Sequence, residues 1–151
     1  GSERTTQRVA TDKAHRRGAT AGSGEGLFSN PVGIAVLGDS SGEVAVADYG
    51  SHRVQIFDRE GNYLRQFGTE GTEEDGQLYH PVSIASDAHG NILVADDSTS
   101  RLQVFNSKGK HLCTRSDLGL GASCFKGVAW GKSGQLAVAN GSAHAVHAWQ
   151  Q

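Results

Sequence analysis

An all-β fold made of β-propeller blades is what this sequence predicts, and three observations predict it. Three segments align on their apolar residues: PVGIAVLGDSSGEVAVADYGSHRVQIFDREGNYLRQFG (Pro31–Gly68), PVSIASDAHGNILVADDSTSRLQVFNSKGKHL (Pro81–Leu112) and FKGVAWGKSGQLAVANGSAHAVHAW (Phe125–Trp149). Landmarks recur at intervals of about 45 residues, Asp48 returning as Asp96 and then as Asn140, and short alternating runs at that period mark a blade array. Glycine is abundant, with 21 residues against two prolines, as many tight reversals require.

Residues 1–25 read as a basic flexible arm: Arg4, Arg8, Lys13, Arg16 and Arg17 stand among small polar residues with no sustained periodicity. Yet RRGATAGSGEGLFSNP (Arg16–Pro31) resembles RQFGTEGTEEDGQLYHP (Arg65–Pro81), the stretch between two blades. The arm could therefore hold the end of a preceding blade, with Gln7–Thr11 as a candidate outer strand.

Residues 26–151 form the propeller segment, in blades of about 26–75, 76–122 and 123–151. Alternation predicts strands at Val32–Leu37, Glu43–Asp48, Arg53–Asp58 and Tyr63–Gln66, then at 82–86, 91–96, 101–106 and 110–114. The third repeat offers Gly127–Trp130, Gln135–Asn140 and Ala145–Trp149. Ser41-Gly42, Glu60-Gly61, His89-Gly90 and Lys108-Gly109 sit where hairpins must reverse. The runs VAVAD, ILVAD and LAVAN are apolar on both faces, as blades covered on both sides demand. The expected core runs from Val32, Ile34, Val36, Val44, Val46, Val54, Ile56 and Phe57 through Ile84, Ile92, Val94, Leu102, Val104 and Phe105 to Val128, Val138, Val146 and Trp149.

Three blades are too few to close a ring. Two flanks stay open, so the chain is expected to self-associate into six blades or to pair with missing blades as a half or fragment of a six-bladed propeller. The third repeat also lacks a fourth strand, which the arm could supply from the same or a second copy.

The residues PVGIAV, EVAVAD, SHRVQIFD, GNYL and RQFG, with PVSIAS, NILVAD and SRLQVF, resemble the NHL repeat, closely over residues 26–112 and loosely over 123–149. The resemblance implies a six-bladed propeller of the kind found at the carboxyl end of TRIM-type (TRIM-NHL) ubiquitin ligases. Such domains bind protein or RNA, while ubiquitin transfer belongs to a separate RING domain. No RING-like Cys/His pattern is present in this sequence.

In each of the first two repeats an acid ends the second strand and an arginine begins the third. Asp48 with Arg53, and Asp96 with Arg101, are therefore read as structural ion pairs. Asn140 and Ala145 replace both partners together in the third repeat, as a structural pair predicts. Asn30, His80 and Cys124 share the position before each innermost strand, at the mouth of a propeller channel. A turn role is expected there, and no metal. His52 reads as a turn-stabilising residue. No catalytic constellation is found, and neither enzyme activity nor a cofactor is expected.

The binding surface is assigned to the rim where inter-blade loops meet the turns after VAD. Tyr49, His52, Tyr79 and His80 lie there with the carboxylates Glu70, Glu73, Glu74, Asp75 and Asp97. The leading function is a non-catalytic platform for a basic or polar protein partner, with substrate recognition for a TRIM-type ligase as its extension. The alternative is single-stranded RNA binding through the rim and the arm.

Net charge is −2, and the arm's basicity leaves the repeats acidic, against a phosphate-binding surface. Cys113 and Cys124 fit reduced thiols better than a bridge across the connection they flank, and a cytoplasmic setting is expected. No apolar run approaches a membrane span, and no signal peptide is read.

Overall fold

The computed structural model describes residues 22–116, 118–120 and 124–150. Residues 1–21, including Gln7–Thr11, lie outside the described residues. The first blade is β1 (Pro31–Val36), β2 (Val44–Asp48), β3 (Arg53–Phe57) and β4 (Tyr63–Phe67), paired antiparallel in sequence order. A parallel ladder between β5 (Thr69–Glu70) and β6 (Gln77–Leu78) ties the loop to the next blade. The second blade is β7 (Pro81–Ser86), β8 (Ile92–Asp96), β9 (Arg101–Phe105) and β10 (His111–Arg115). The third is β11 (Phe125–Trp130), β12 (Leu136–Asn140) and β13 (Ala145–Trp149).

Strand limits differ from the expected ones by a residue or two, most at β11. Its register shifts between Phe125 and Gly127, as it does between Pro31 and Gly33 and between Pro81 and Ser83. This recurrent bulge breaks strict alternation at the start of every innermost strand, which hid the first residues of β11.

Three hairpins, β3–β4, β7–β8 and β9–β10, are closed by one device. The Asp58 carboxylate accepts hydrogen bonds from the amides of Glu60 (2.9 Å) and Asn62 (2.8 Å), and from Asn62 Nδ2 (2.9 Å). Asp87 does the same with His89 and Asn91, and Asn106 Oδ1 accepts from the amides of Lys108 and Lys110. The glycine before the last residue of each turn has positive φ: 86° at Gly61, 82° at Gly90 and 86° at Gly109. That conformation strains residues with a Cβ.

Each blade has two unlike faces, a consequence of the two-residue strand period. In the first blade Ile34, Val46 and Gln55 stand opposite one another, with Val44 opposite Phe57. The other face carries Gly33, Ala35, Ala45, Ala47, Val54 and Ile56. This small-residue face packs on the large-residue face of the second blade, where Ile84, Ile92, Val94 and Phe105 lie in one core with Ala45, Ala47, Val54, Ile56 and Phe67. Phe67 meets Phe105 with ring centroids 4.6 Å apart. The second seam repeats the arrangement, Leu93, Ala95, Leu102 and Val104 packing on Phe125, Leu136 and Val138.

The expected core holds wherever two blades meet and fails on the flanks. Val32, Ile34 and Val36 are 47, 61 and 65% exposed, and Val146 is 75% exposed. Ile34 and Val36 project from the outer face of the first blade and Val146 from that of the third, where no blade among the described residues covers them. On the first flank Val44, Val46 and Phe57 escape exposure because Phe28 and Tyr63 fold over them.

Candidate functional site

The rim is built on a buried polar frame. Asp48 ends β2 directly opposite Arg53 of β3, and Asp96 ends β8 opposite Arg101 of β9. The buried Asp48 carboxylate accepts hydrogen bonds from the amides of Asn30 (2.8 Å) and Ser29 (3.1 Å). Arg53 Nη2 lies 3.5 Å from Asp48 Oδ2. The same guanidinium donates to the carbonyls of Ser23 (2.7 Å), Gly24 (3.1 Å) and Leu27 (2.7 Å). Asp96 accepts from the amides of Tyr79 (2.7 Å) and His80 (3.0 Å).

The second pair departs from expectation. Arg101 donates to Glu74 O, Gln77 O and Thr99 Oγ1, and among the described residues no Asp96–Arg101 bridge is present. Loop oxygens occupy the rigid guanidinium fork, and two loop amides occupy the carboxylate. Each charge serves the loop instead of its opposite. In the third blade Asn140 Oδ1 accepts from the amides of Ser142 (3.1 Å) and Ala143 (3.3 Å), and its Nδ2 donates to Leu120 O (3.4 Å).

Sequence reasoning missed two glutamines in this frame. Gln55 and Gln103 are fully buried in the middle of β3 and β9. Gln55 Oε1 accepts from Gly26 N (2.9 Å) while its Nε2 donates to Leu27 O (2.7 Å). Gln103 repeats both bonds with Gly76 N (2.8 Å) and Gln77 O (2.6 Å). The available signal was a polar residue at one position of two otherwise apolar strands, RVQIF and RLQVF.

Above this frame, four rings meet at the seam between the first two blades. Tyr49, in the turn after β2, lies flat on His80, with centroids 4.2 Å apart and planes 4° from parallel. His52 stacks on Tyr79 at 5.0 Å and stands 5.5 Å from His80. Its Nδ1–H donates to the Tyr79 carbonyl, and Glu70 Oε1 lies 3.8 Å from its Nε2. His52 holds φ at 55°, as Ser100 (53°) and His144 (51°) do at the matching turns. The His52 ring thus ties the first blade's turn to the loop entering the second. All four rings remain partly exposed.

The remaining rim residues divide. Glu73 and Glu74 are exposed, and the Glu73 and Glu74 amides are held by Gln77 Oε1. Asp75 accepts from Thr114 Oγ1 at 2.6 Å, toward the outer edge of the second blade. Asp97 instead serves the fold, its Oδ1 accepting from Phe125 N at 2.8 Å across the second seam. The carbonyls of Asn30, His80 and Cys124 accept from the amides of Tyr49, Asp97 and Gly141, so this position closes the rim turn in every blade. The described residues contain no group of three or more potential metal ligands. Cys113 and Cys124 are both free thiols. No helix among the described residues is long and apolar enough to cross a membrane.

Residues 28–57 and 78–105 match the NHL repeat. The chain carries two NHL repeats. Its two matched NHL repeats contain Asp48, Arg53 and Gln55, and Asp96, Arg101 and Gln103; the third blade, with Asn140, Ala145 and His147 at those positions, lies outside the match. The chain is 44% identical over 61 residues to "Protein brain tumor" of Drosophila melanogaster, covering 40% of this chain and 6% of that protein. It is 41% identical over 64 residues to "RING finger protein nhl-1" of Caenorhabditis elegans, covering 42% of this chain and 6% of that one. The chain thus spans only a small part of either relative's length. Among solved structures, hydrazine synthase of Kuenenia stuttgartiensis superposes with a TM-score of 0.63 at 14% identity, over 82% of this chain and 33% of its own. That likeness is to the β-propeller fold alone.

Proposed function

We propose that this NHL segment is a binding platform whose rim, at the seam of the first two blades, takes a basic or polar segment of a protein partner. The observation that carries the reading is the stacked cluster of Tyr49, His80, His52 and Tyr79 with Glu70 beside it and Glu73 and Glu74 in the same loop. Partly exposed ring faces accept flat or cationic groups, and neighbouring carboxylates favour Lys or Arg. Asp75 adds negative charge farther out. In a longer polypeptide carrying ligase machinery, such a rim would select the substrate, and the RING in the name of one relative supports that extension.

The stacked Tyr49–His80 pair also supports a second reading, single-stranded RNA binding, because bases stack on such rings. The carboxylates weigh against it.

Binding of a Lys/Arg-rich peptide and of an oligouridine to the folded chain separates the two. The protein reading expects peptide binding that falls at least about tenfold in Glu70→Gln/Glu73→Gln/Glu74→Gln, with thermal stability unchanged. Oligouridine binding that strengthens in that variant and collapses with added salt would overturn it.

A further inference from the structure

We infer that the ring surface at the first seam selects arginine over lysine, a flat guanidinium lying on the stacked Tyr49–His80 pair, a reading that rests on the platform proposed above. The two seams of this chain share one backbone frame and differ in what they carry on it. In each, the turn after a blade's second strand meets the loop entering the next blade. The first seam places Tyr49 and His52 in the turn and His80 in the loop, where the second has Asp97, Ser100 and Cys124.

The backbone is indifferent to that exchange. Asn30 O accepts from Tyr49 N at 2.9 Å, His80 O from Asp97 N at 3.1 Å and Cys124 O from Gly141 N at 2.8 Å. Ser100 holds φ at 53° where His52 holds 55°. Across the second seam, Asp97 Oδ1 accepts from Phe125 N at 2.8 Å. A seam therefore closes without Tyr49, His52 or His80 at these positions, and the fold does not demand their rings.

The ring surface is held rigid. His80 is fixed through its amide, which donates to Asp96 Oδ1 at 3.0 Å, through its carbonyl, and through its Nδ1, which is hydrogen-bonded to Ser98 Oγ. Tyr49 lies on that ring with planes 4° from parallel. A flat ligand finds its surface already ordered, so little entropy is lost in receiving it. His52 stands 5.5 Å from His80, and Glu70 Oε1 lies 3.8 Å from His52 Nε2 on a side chain 65% exposed.

Flat faces beside an exposed carboxylate discriminate between the two basic side chains. A guanidinium is planar and weakly hydrated, and it stacks on a ring while its edge donates to a carboxylate. An ammonium is a compact, strongly hydrated point charge, and on a half-open surface it keeps its water. Net charge alone would treat the two alike.

The test is binding to the folded chain, by fluorescence anisotropy, of two peptides equal in length and charge. One alternates glycine with arginine and the other glycine with lysine. The arginine peptide is expected to bind at least about tenfold more tightly. Tyr49→Leu should bring arginine binding down to the lysine level, and Tyr49→Phe, which keeps the ring, should retain the preference. His80→Cys, which installs the third blade's own residue at that position, should lose it as well. Circular dichroism and melting curves report that each variant is folded. Equal affinities in the wild type would overturn the inference and leave the platform reading standing. A preference that survives in folded Tyr49→Leu and His80→Cys would overturn it too. Binding of neither peptide would overturn both readings, as would oligouridine binding more tightly than either peptide.

Discussion

Gln55 and Gln103 do the same work one blade apart: each carries its amide into the apolar middle of a third strand and holds the loop that enters its own blade by one amide and one carbonyl. Both are fully buried, so each side-chain amide depends on these partners for its hydrogen bonds.

Replacing Gln103 by Leu should therefore cost more than a surface change, although leucine fits the space and raises the local hydrophobicity. Gly76 N loses its acceptor and Gln77 O loses one donor, for an expected loss of about 2 kcal/mol. Urea unfolding would show it as a lower midpoint with an unchanged slope. An unaltered midpoint would mean that the loop finds other partners.

The two acid–arginine pairs should behave differently in double-mutant cycles. Asp48 and Arg53 approach to 3.5 Å while buried, so Asp48→Asn and Arg53→Gln should show coupling of about 1 kcal/mol or more. Asp96 and Arg101 are each satisfied by loop groups, so their cycle should come closer to additivity. Equal coupling in both cycles would contradict the geometry.

Gly33→Ala and Gly127→Ala test the tightness of the seam. The first forces a methyl against the backbone of β7 and should destabilise by about 1–3 kcal/mol. The second faces open space within one chain and should leave monomer stability within about 0.5 kcal/mol. Thermal melts of dilute samples would read both.

At low pH the outer hairpin of the first blade should loosen. The Asn62 side chain, then the Asn62 and Glu60 amides, hold the Asp58 carboxyl below its usual range. A depressed carboxyl contributes stability above its unfolded value, near pH 4, and loses that contribution as pH falls through the folded value. Amide exchange at Glu60 and Asn62 should therefore accelerate, after correction for intrinsic rates, as pH drops below about 4. In Asp58→Ala that extra acid sensitivity should vanish.

Much of the fold was legible because blades are written in local pattern. VAVAD and ILVAD announce strands buried on both faces, and DREGN and DAHGN announce the hairpins that Asp58 and Asp87 close. The β5–β6 ladder was not legible, since two residues carry no period. The exposure of Val32, Ile34 and Val36 was hidden for another reason: apolar composition reports what a face suits, while burial depends on which neighbour is present. At the rim, Tyr49, His52, Tyr79 and His80 could be placed on one loop family by repeat alignment. Their stacking depends on the αL turn at His52 and its bond to Tyr79 O, which no spacing encodes. Asp97 looked equivalent to the free acids but is turned inward by Phe125 N.

The unlike faces of each blade give the chain a direction, as a plug and a socket do. A blade turned over would set two large faces or two small faces together, so the blades can follow one another in one sense only.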